Sequence, residues 1–139
     1  MTDVHNKNTR SYNMSMIKGK DTKPEINVRK YLFSKGYRFR LHVKELPGKP
    51  DIVLSKYKTI ILINGCFWHG HKNCRYFKLP ITNREFWKEK IEKNIERDKK
   101  NKYLLEKQGW KVLVIWECQL KNQKFEGTIN KLIKEITNN

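Results

Sequence analysis

The chain has 139 residues, enough for one compact domain with a single core and too few for two ordinary domains. Lysine and arginine total 31 against 14 aspartates and glutamates, which gives a formal net charge of +17 at pH 7. This excess is larger than solubility requires and predicts a polyanionic partner, although charge alone does not separate DNA from RNA or an acidic membrane. An aromatic content of 12% favours nucleic acid, because exposed rings stack on bases.

The sequence also indicates where the protein works. It contains no apolar run near the roughly 18 residues that span a bilayer, and its polar start lacks the apolar stretch of a signal peptide. We therefore expect a cytoplasmic protein that does not bind membranes, and we take a monomer as the default. In a reducing compartment the three cysteines are better explained by metal binding or a reactive thiol than by disulfides.

Two regions are expected within the chain. Residues 1–21 carry scattered cations around a short apolar set and are predicted to form a basic arm that orders on the partner. Residues 22–139 contain the periodic segments and form the predicted catalytic domain.

The periodic segments predict, in chain order, a helix, three strands, a helix, a strand and a helix. The first helix begins at a capping box, Thr22 with Glu25, and ends at Gly36, after which alternation over residues 37–43 predicts a strand with one apolar and one basic face. The other segments are strands 51–54 and 59–63, a helix from a second capping box (Thr82 with Glu85) to near Gly109, a buried strand 111–116 and a helix 128–137. This order predicts one α/β domain with a central mixed sheet flanked by helices.

A candidate metal site lies in the aperiodic segment 64–80. Cys66, His71 and Cys74 stand together there, and Cys118 follows the last predicted strand. Three thiolates and one imidazole form a closed tetrahedral set suited to structural zinc, which would pin the loop and leave catalysis to other residues. The alternative is that Cys66 and Cys118 are small core residues and His71 is a surface imidazole.

A candidate catalytic group begins with Asp51, which heads a short apolar strand directly after Pro50. Carboxylate oxygens suit Mg²⁺, and many nucleases place a Mg²⁺ ligand on a sheet in this way. Phosphodiester hydrolysis needs an activated water and neutralised phosphate charge, which a metal ion at Asp51 and the imidazole of His69 would supply. An aspartate after proline in a turn is, alternatively, only a cap or turn former.

The sequence allows two roles for three aromatic side chains in or near this loop. Phe67 and Trp68 are adjacent in the loop, and Trp87 opens the following helix. All three could be buried in the core. Alternatively they form a wedge that inserts between base steps, at an energetic cost that is lowest at a mispair.

The segment Asn64-Gly-Cys-Phe-Trp-His-Gly-His71 resembles the very-short-patch mismatch repair endonucleases of bacteria. The likeness continues through Asp3-Val-His5, Thr9-Arg-Ser, Asn13-Met14, Asp21-Thr22, Glu25, Leu46-Pro-Gly-Lys-Pro-Asp51, Glu85-Phe-Trp87, Lys90-Ile, Glu96-Arg-Asp98, Gln108-Gly-Trp and Trp116-Glu-Cys118. The resemblance implies the restriction-endonuclease fold. It also implies nicking on the 5′ side of the thymine in a T:G mispair that arises by deamination of 5-methylcytosine.

The resemblance also implies roles for individual residues. Asp51 would bind Mg²⁺, with the main-chain carbonyl of Ile63 as a further ligand, and His69 would activate or position the attacking water. Glu25 and His5 match positions around the active site. The remaining assignments are zinc binding by Cys66, His71, Cys74 and Cys118, and intercalation by Phe67, Trp68 and Trp87.

Two departures from the family pattern stand out. Ile63 and Asn64 occupy positions where the best-known member has a threonine and a histidine, so an imidazole that could donate a proton or contact phosphate is lost. One residue is added between His71 and Cys74, which a loop can absorb. The sequence leaves three functions open: a mismatch-specific nicking enzyme with possible helper repair proteins, a restriction-type nuclease on paired DNA, and an inert zinc-stabilised DNA binder.

Overall fold

A computed structural model describes residues 22–138 of the chain. Within them lie three helices and four strands: α1 (Lys23–Ser34), β1 (Arg40–Leu41), β2 (Ile52–Leu54), β3 (Thr59–Asn64), α2 (Arg84–Lys107), β4 (Lys111–Trp116) and α3 (Lys124–Thr137). The prediction of an α/β domain with a mixed sheet is confirmed. The predicted basic arm, including His5, lies outside the described residues.

Helix α1 follows from its own sequence. The Thr22 Oγ1 accepts a hydrogen bond from the Glu25 N–H at 3.4 Å, and a proline occupies the first turn, where its missing N–H costs nothing. Val28 and Leu32, one turn apart, are fully buried on the inner face. Gly36 adopts φ +94°, a conformation that glycine tolerates, and the helix ends before it.

The four strands form one sheet in the order β1-β2-β3-β4. Strand β2 is antiparallel to both β1 and β3, and the connection from β2 to β3 is a short one over residues 55–58. Strand β4 pairs parallel with β3, with Ile61 opposite Leu113 and Ile63 opposite Ile115. A parallel pair needs a long crossover, which the loop after β3 and helix α2 provide.

Alternation along the strands divides the core into two layers, one on each face of the sheet. The layer under α1 and α3 contains Val28, Leu32, Ile52, Leu54, Ile61, Ile115, Leu120, Ile129, Leu132 and Ile136. The layer under α2 contains Val43, Val53, Ile60, Leu105 and Val112. Helices therefore cover both faces, and the inner strands carry apolar residues on both sides, as their continuous apolar runs predicted.

The predicted strand over residues 37–43 was too long. Its paired part is Arg40–Leu41, and the expected apolar face does not form. Tyr37 and Phe39 pack on the layer under α1, whereas Val43 packs on the layer under α2. His42 between them adopts φ +48°, which turns the chain and ends the alternation.

The second predicted capping box was also wrong. Helix α2 begins after Asn83, which has φ +57° and makes no side-chain cap hydrogen bond, so Thr82 is outside the cap. Helix α3 begins at Lys124, four residues before the predicted start. Across residues 22–138, none of the helices combines the length and the apolar character that a membrane crossing requires.

The loop after β3 is pressed against helix α2 at Gly70. A Cβ atom at this position would lie 2.7 Å from Ile95 Cδ1 and 2.8 Å from Ile91 Cγ2, and φ is +59°. Both distances are shorter than a side chain allows, so glycine is needed for the loop to reach the helix.

We predict that Gly70→Ala lowers the free energy of unfolding by roughly 1–3 kcal/mol, because the methyl group overpacks the contact and the left-handed backbone is strained. The matched control is Gly127→Ala in α3, where no atom lies within 4 Å of the added Cβ. That change should be neutral or stabilise by about 0.4–1 kcal/mol. Urea denaturation of both variants checks the prediction, and equal changes would contradict it.

Candidate active site

Asp51 is held at the point where β2 meets β3. The main-chain N–H of Ile63 donates a hydrogen bond to Asp51 Oδ2 at 2.9 Å. In a strand the N–H and C=O of one residue face the same neighbour, so the Ile63 carbonyl faces the side on which Asp51 lies. The structure thus brings together the two residues that the sequence assigned to a catalytic metal ion.

The environment of Asp51 disfavours its charge. The pKa of this carboxyl is raised from 3.8 to about 7. Burial is the largest cause and the nearby Glu25 carboxylate adds to it, while the Ile63 hydrogen bond and the charge of His69 act in the opposite direction. A carboxylate crowded in this way gains from a cation. The site therefore fits a divalent metal ion bound through Asp51.

His69 is oriented by helix α2. Its Nδ1 is bonded to Asp98 Oδ2 at 2.5 Å, and both side chains are about 30% exposed, at 29% and 31%. A carboxylate that accepts from Nδ1 keeps the proton there and makes Nε2 the basic nitrogen. The same helix holds the preceding loop residue, because Asn94 Nδ2 donates to the Trp68 carbonyl at 3.0 Å.

Glu25 and His42 complete the group around Asp51. His42 Nε2 lies 3.0 Å from Glu25 Oε2, and His42 Nδ1 lies 3.9 Å from Asp51 Oδ1. Glu25 is 2% exposed, and Arg29 Nη1 lies 3.4 Å from the same oxygen. One ligand atom from each of Glu25, His42 and Asp51 lies within 4.8 Å of the others.

The predicted Cys/His group is brought together in the structure. One ligand atom each from Cys66, His71, Cys74 and Cys118 lies within 4.8 Å of the others. Cys118 Sγ and His71 Nδ1 are 3.5 Å apart. Tetrahedral zinc with bonds of about 2.3 Å to sulfur would place its thiolates roughly 3.8 Å apart, so the four residues fit a structural metal ion.

Two features support metal binding by this group. The His71 ring stacks on Trp116, with centroids 4.0 Å apart and an interplanar angle of 5°, which fixes its orientation. Burial raises the pKa of the Cys66 thiol to about 12 and also raises the pKa of the Cys118 thiol. At Cys74, hydrogen bonds to the Tyr76 backbone and to the two other cysteines outweigh burial and lower the pKa of the thiol. A bound cation would favour the thiolate form of Cys66 and Cys118, and metal binding would release their protons.

The three rings assigned to a wedge form one cluster. Centroids of Phe67 and Trp68 are 5.3 Å apart, and each lies 5.6 Å from the centroid of Trp87. All three are partly exposed, and Phe86, which contacts Trp87, is 59% exposed. The first reading, in which the three rings are buried in the core, is therefore wrong.

Sequence reasoning missed the roles of His42 and Asn94. His42 was read as part of a basic strand face, and only the left-handed turn at this residue directs it to Glu25 and Asp51. Asp98 was noted only as a family position. No local pattern in the sequence indicated the contact of Asn94, because its partner is a main-chain carbonyl 26 residues away in sequence.

The raised pKa of Asp51 predicts a pH-dependent stability. Between pH 3.8 and about 7 the folded state keeps a proton that the unfolded state has lost, so stability falls as pH rises through this window. Asp51→Asn removes the ionisation and should raise the free energy of unfolding at pH 8 by on the order of 1–3 kcal/mol, with a smaller gain at pH 5.

Urea denaturation without added divalent metal ions tests this. Glu89→Gln is the matched control, because Glu89 pairs with Lys93 on the surface and is 71% exposed. It should change stability by less than about 0.5 kcal/mol at both pH values. An Asp51→Asn effect of the same size at pH 5 and pH 8 would argue against a raised pKa.

Comparison with known proteins identifies the family. The family described as "DNA mismatch endonuclease Vsr" matches residues 2–75, slightly more than half of the chain. The type II nicking enzyme V.NmeAIP of Neisseria meningitidis is 53% identical over 137 residues, covering 98% of this chain and 97% of that protein. The DNA mismatch endonuclease Vsr of Escherichia coli is 46% identical over 124 residues, covering 89% and 79%. The chain belongs to the family of Vsr DNA mismatch endonucleases.

Proposed function

We propose that this protein nicks double-stranded DNA on the 5′ side of the thymine in a T:G mispair. The observation that carries the proposal is the meeting of Asp51, Ile63 and the His69–Asp98 pair at the end of β3. Family membership and the relatives named as mismatch endonuclease or nicking enzymes support this class of reaction. The net charge of +17 supports a DNA substrate.

Each side chain has a defined part in this reaction. Asp51 and the Ile63 carbonyl are the proposed ligands of Mg²⁺, which when bound neutralises phosphate charge and lowers the pKa of a coordinated water. His69 accepts a proton from the attacking water through Nε2, because Asp98 holds the proton on Nδ1. Glu25 orients the site through His42. His5 is proposed to join it from the basic arm.

The ring cluster of Phe67, Trp68 and Trp87 is the proposed mismatch reader. The rings contact one another edge to face and are partly exposed, so they can act as one rigid wedge. Insertion between base steps costs least where pairing is already weak. We propose that this difference in cost gives preference for the mispair. The restriction-endonuclease fold, a separate basic arm at residues 1–21, helper proteins, a monomeric state and a cytoplasmic location remain predictions.

The direct test is strand-resolved cleavage of a short duplex with one T:G mispair, in several flanking contexts, beside the fully paired duplex. We expect nicking of the thymine strand only, dependent on added Mg²⁺. Asp51→Asn should bind the duplex with wild-type affinity and lose nicking by a factor of at least about 100, because the metal ligand is weakened while the fold is kept.

The other outcomes separate the alternatives. Cleavage of the paired duplex would replace the proposal with a restriction-type nuclease, and binding without cleavage would replace it with an inert DNA binder. Trp68→Ala tests the wedge in the same assay. It should reduce the preference for mismatched over paired DNA in binding, and a variant that discriminates as well as the wild type would exclude the wedge.

We further propose that Cys66, His71, Cys74 and Cys118 bind structural zinc. Elemental analysis of the purified protein should give one zinc per chain, and Cys118→Ser should lose it and unfold at lower urea concentration. Lys121→Gln, an exposed change three residues further on, is the control and should retain zinc. Full stability of a zinc-free Cys118→Ser protein would contradict a structural role.

A further inference from the structure

We propose that His42 is a ligand, through Nδ1, of the metal ion that Asp51 binds, and that this nitrogen makes the site prefer Mn²⁺ to Mg²⁺. The inference rests on the proposed metal-binding role of Asp51. It adds a ligand that the sequence reading did not contain, and it changes the expected resting metal.

The two side chains turn their remaining ligand atoms toward each other. Asp51 uses Oδ2 to accept the Ile63 N–H at 2.9 Å, and its other oxygen, Oδ1, is the one that lies 3.9 Å from His42 Nδ1. Octahedral ions with bonds of about 2.1 Å hold neighbouring ligand atoms roughly 3 Å apart. The two atoms therefore need to approach by about 1 Å or less to share one ion.

The other ring nitrogen of His42, Nε2, is held by a carboxylate. His42 Nε2 lies 3.0 Å from Glu25 Oε2, a distance at which Nε2–H donates a hydrogen bond. Histidines that bind metals usually donate their second N–H to a carboxylate, which fixes the tautomer and orients the ring. Arg29 Nη1 lies 3.4 Å from the same oxygen and helps to hold the Glu25 side chain in this position. Glu25 is thus a positioning residue for His42.

The backbone also ties His42 to Asp51. His42 adopts φ +48° and its N–H donates to the Asp51 carbonyl at 3.2 Å, so the two residues are tied through the main chain. Left-handed backbone is uncommon for residues with a side chain and persists where the surroundings hold it. Here it directs the ring toward Asp51, away from the exposed face that an unbroken strand would have given it.

The chemistry of the donors sets the preference. Mg²⁺ selects oxygen ligands and tolerates nitrogen poorly. Mn²⁺ also suits oxygen ligands, but as a transition ion it accepts one imidazole among them more readily than Mg²⁺ does. Position 64 is an asparagine in this chain and so supplies no imidazole. Within residues 22–138, the imidazoles near Asp51 are those of His42 and His69. The Nδ1 of His69 is bonded to Asp98. The Nδ1 of His42 faces the carboxylate of Asp51.

The test is electron spin-echo spectroscopy of Mn²⁺ bound to the zinc-loaded protein, which detects coupling to a directly bound nitrogen. We expect ¹⁴N coupling in the wild type that is replaced by ¹⁵N coupling when histidine is labelled with ¹⁵N. The coupling should disappear in His42→Gln and persist in His69→Gln. Circular dichroism and urea denaturation establish that each variant is folded.

Affinity gives a second, independent measurement. Titration of the free Mn²⁺ resonance should show a Kd raised on the order of tenfold or more in His42→Gln, while the Kd for Mg²⁺, measured by competition, changes by less than about threefold. Glu25→Gln keeps the ring and should retain ¹⁴N coupling with weaker Mn²⁺ binding. This variant also keeps the proposal testable if His42→Gln does not fold. A Glu25→Gln protein that binds Mn²⁺ as tightly as the wild type would contradict the orienting role of Glu25.

Several results would overturn the proposal. Wild-type Mn²⁺ without nitrogen coupling would mean that His42 only balances the charge of Glu25 and Asp51. Coupling that disappears in His69→Gln and persists in His42→Gln would assign the nitrogen to His69. The T:G nicking assay is run in parallel: coupling through His42 without nicking would refute the proposed function alone, and nicking without coupling would refute this inference alone.

Discussion

The hydrogen bond from the Ile63 N–H to the Asp51 carboxylate, at 2.9 Å, is the interaction on which the active site depends. It joins the start of β2 to the end of β3, two points that are 12 residues apart in sequence. Strand β3 is hydrogen-bonded to β2 and β4, so this carboxylate is attached to an inner strand of the sheet. The chain that leaves β3 brings His69 toward Asp51, whereas Glu25 lies on α1 and His42 follows β1.

The loop after β3 has no regular structure, so side-chain contacts must fix its position. Three contacts do this: the group of cysteines and His71 at one end, the bond between Asn94 and the Trp68 carbonyl, and the close approach of Gly70 to α2. His69 lies between them and is bonded to Asp98 on the same helix. A segment without repeating backbone hydrogen bonds can hold a catalytic side chain only if it is tied down in this way.

The active site is a source of instability as well as of chemistry. Burial next to Glu25 raises the pKa of Asp51 to about 7, so the ionised form that the proposed metal ion would need is the form that the fold disfavours. Other parts of the molecule compensate, chiefly the apolar layers on both faces of the sheet. The proposed metal ion would recover part of the cost, because a cation stabilises the charge that burial opposes.

The sequence by itself determined the α/β order, the central sheet and the members of the Cys/His group. For the group around Asp51 it indicated Asp51 and Glu25 but not His42. These follow from local signals: apolar periodicity for α1, β3 and β4, and the clustering of cysteine, histidine and tryptophan between Asn64 and Trp87. The family resemblance rested on motifs that are also local, and membership is confirmed.

Tertiary structure alone decided how far β1 extends, where α2 begins, and which partners surround the catalytic side chains. Alternation over residues 37–43 predicted one apolar face, but the left-handed turn at His42 divides those residues between two core layers. The pairs His42–Glu25 and His69–Asp98 join residues that are far apart in sequence. Periodicity reports only which face a residue occupies in its own segment, whereas these contacts arise when separate segments pack, and so they could be found only in the folded chain.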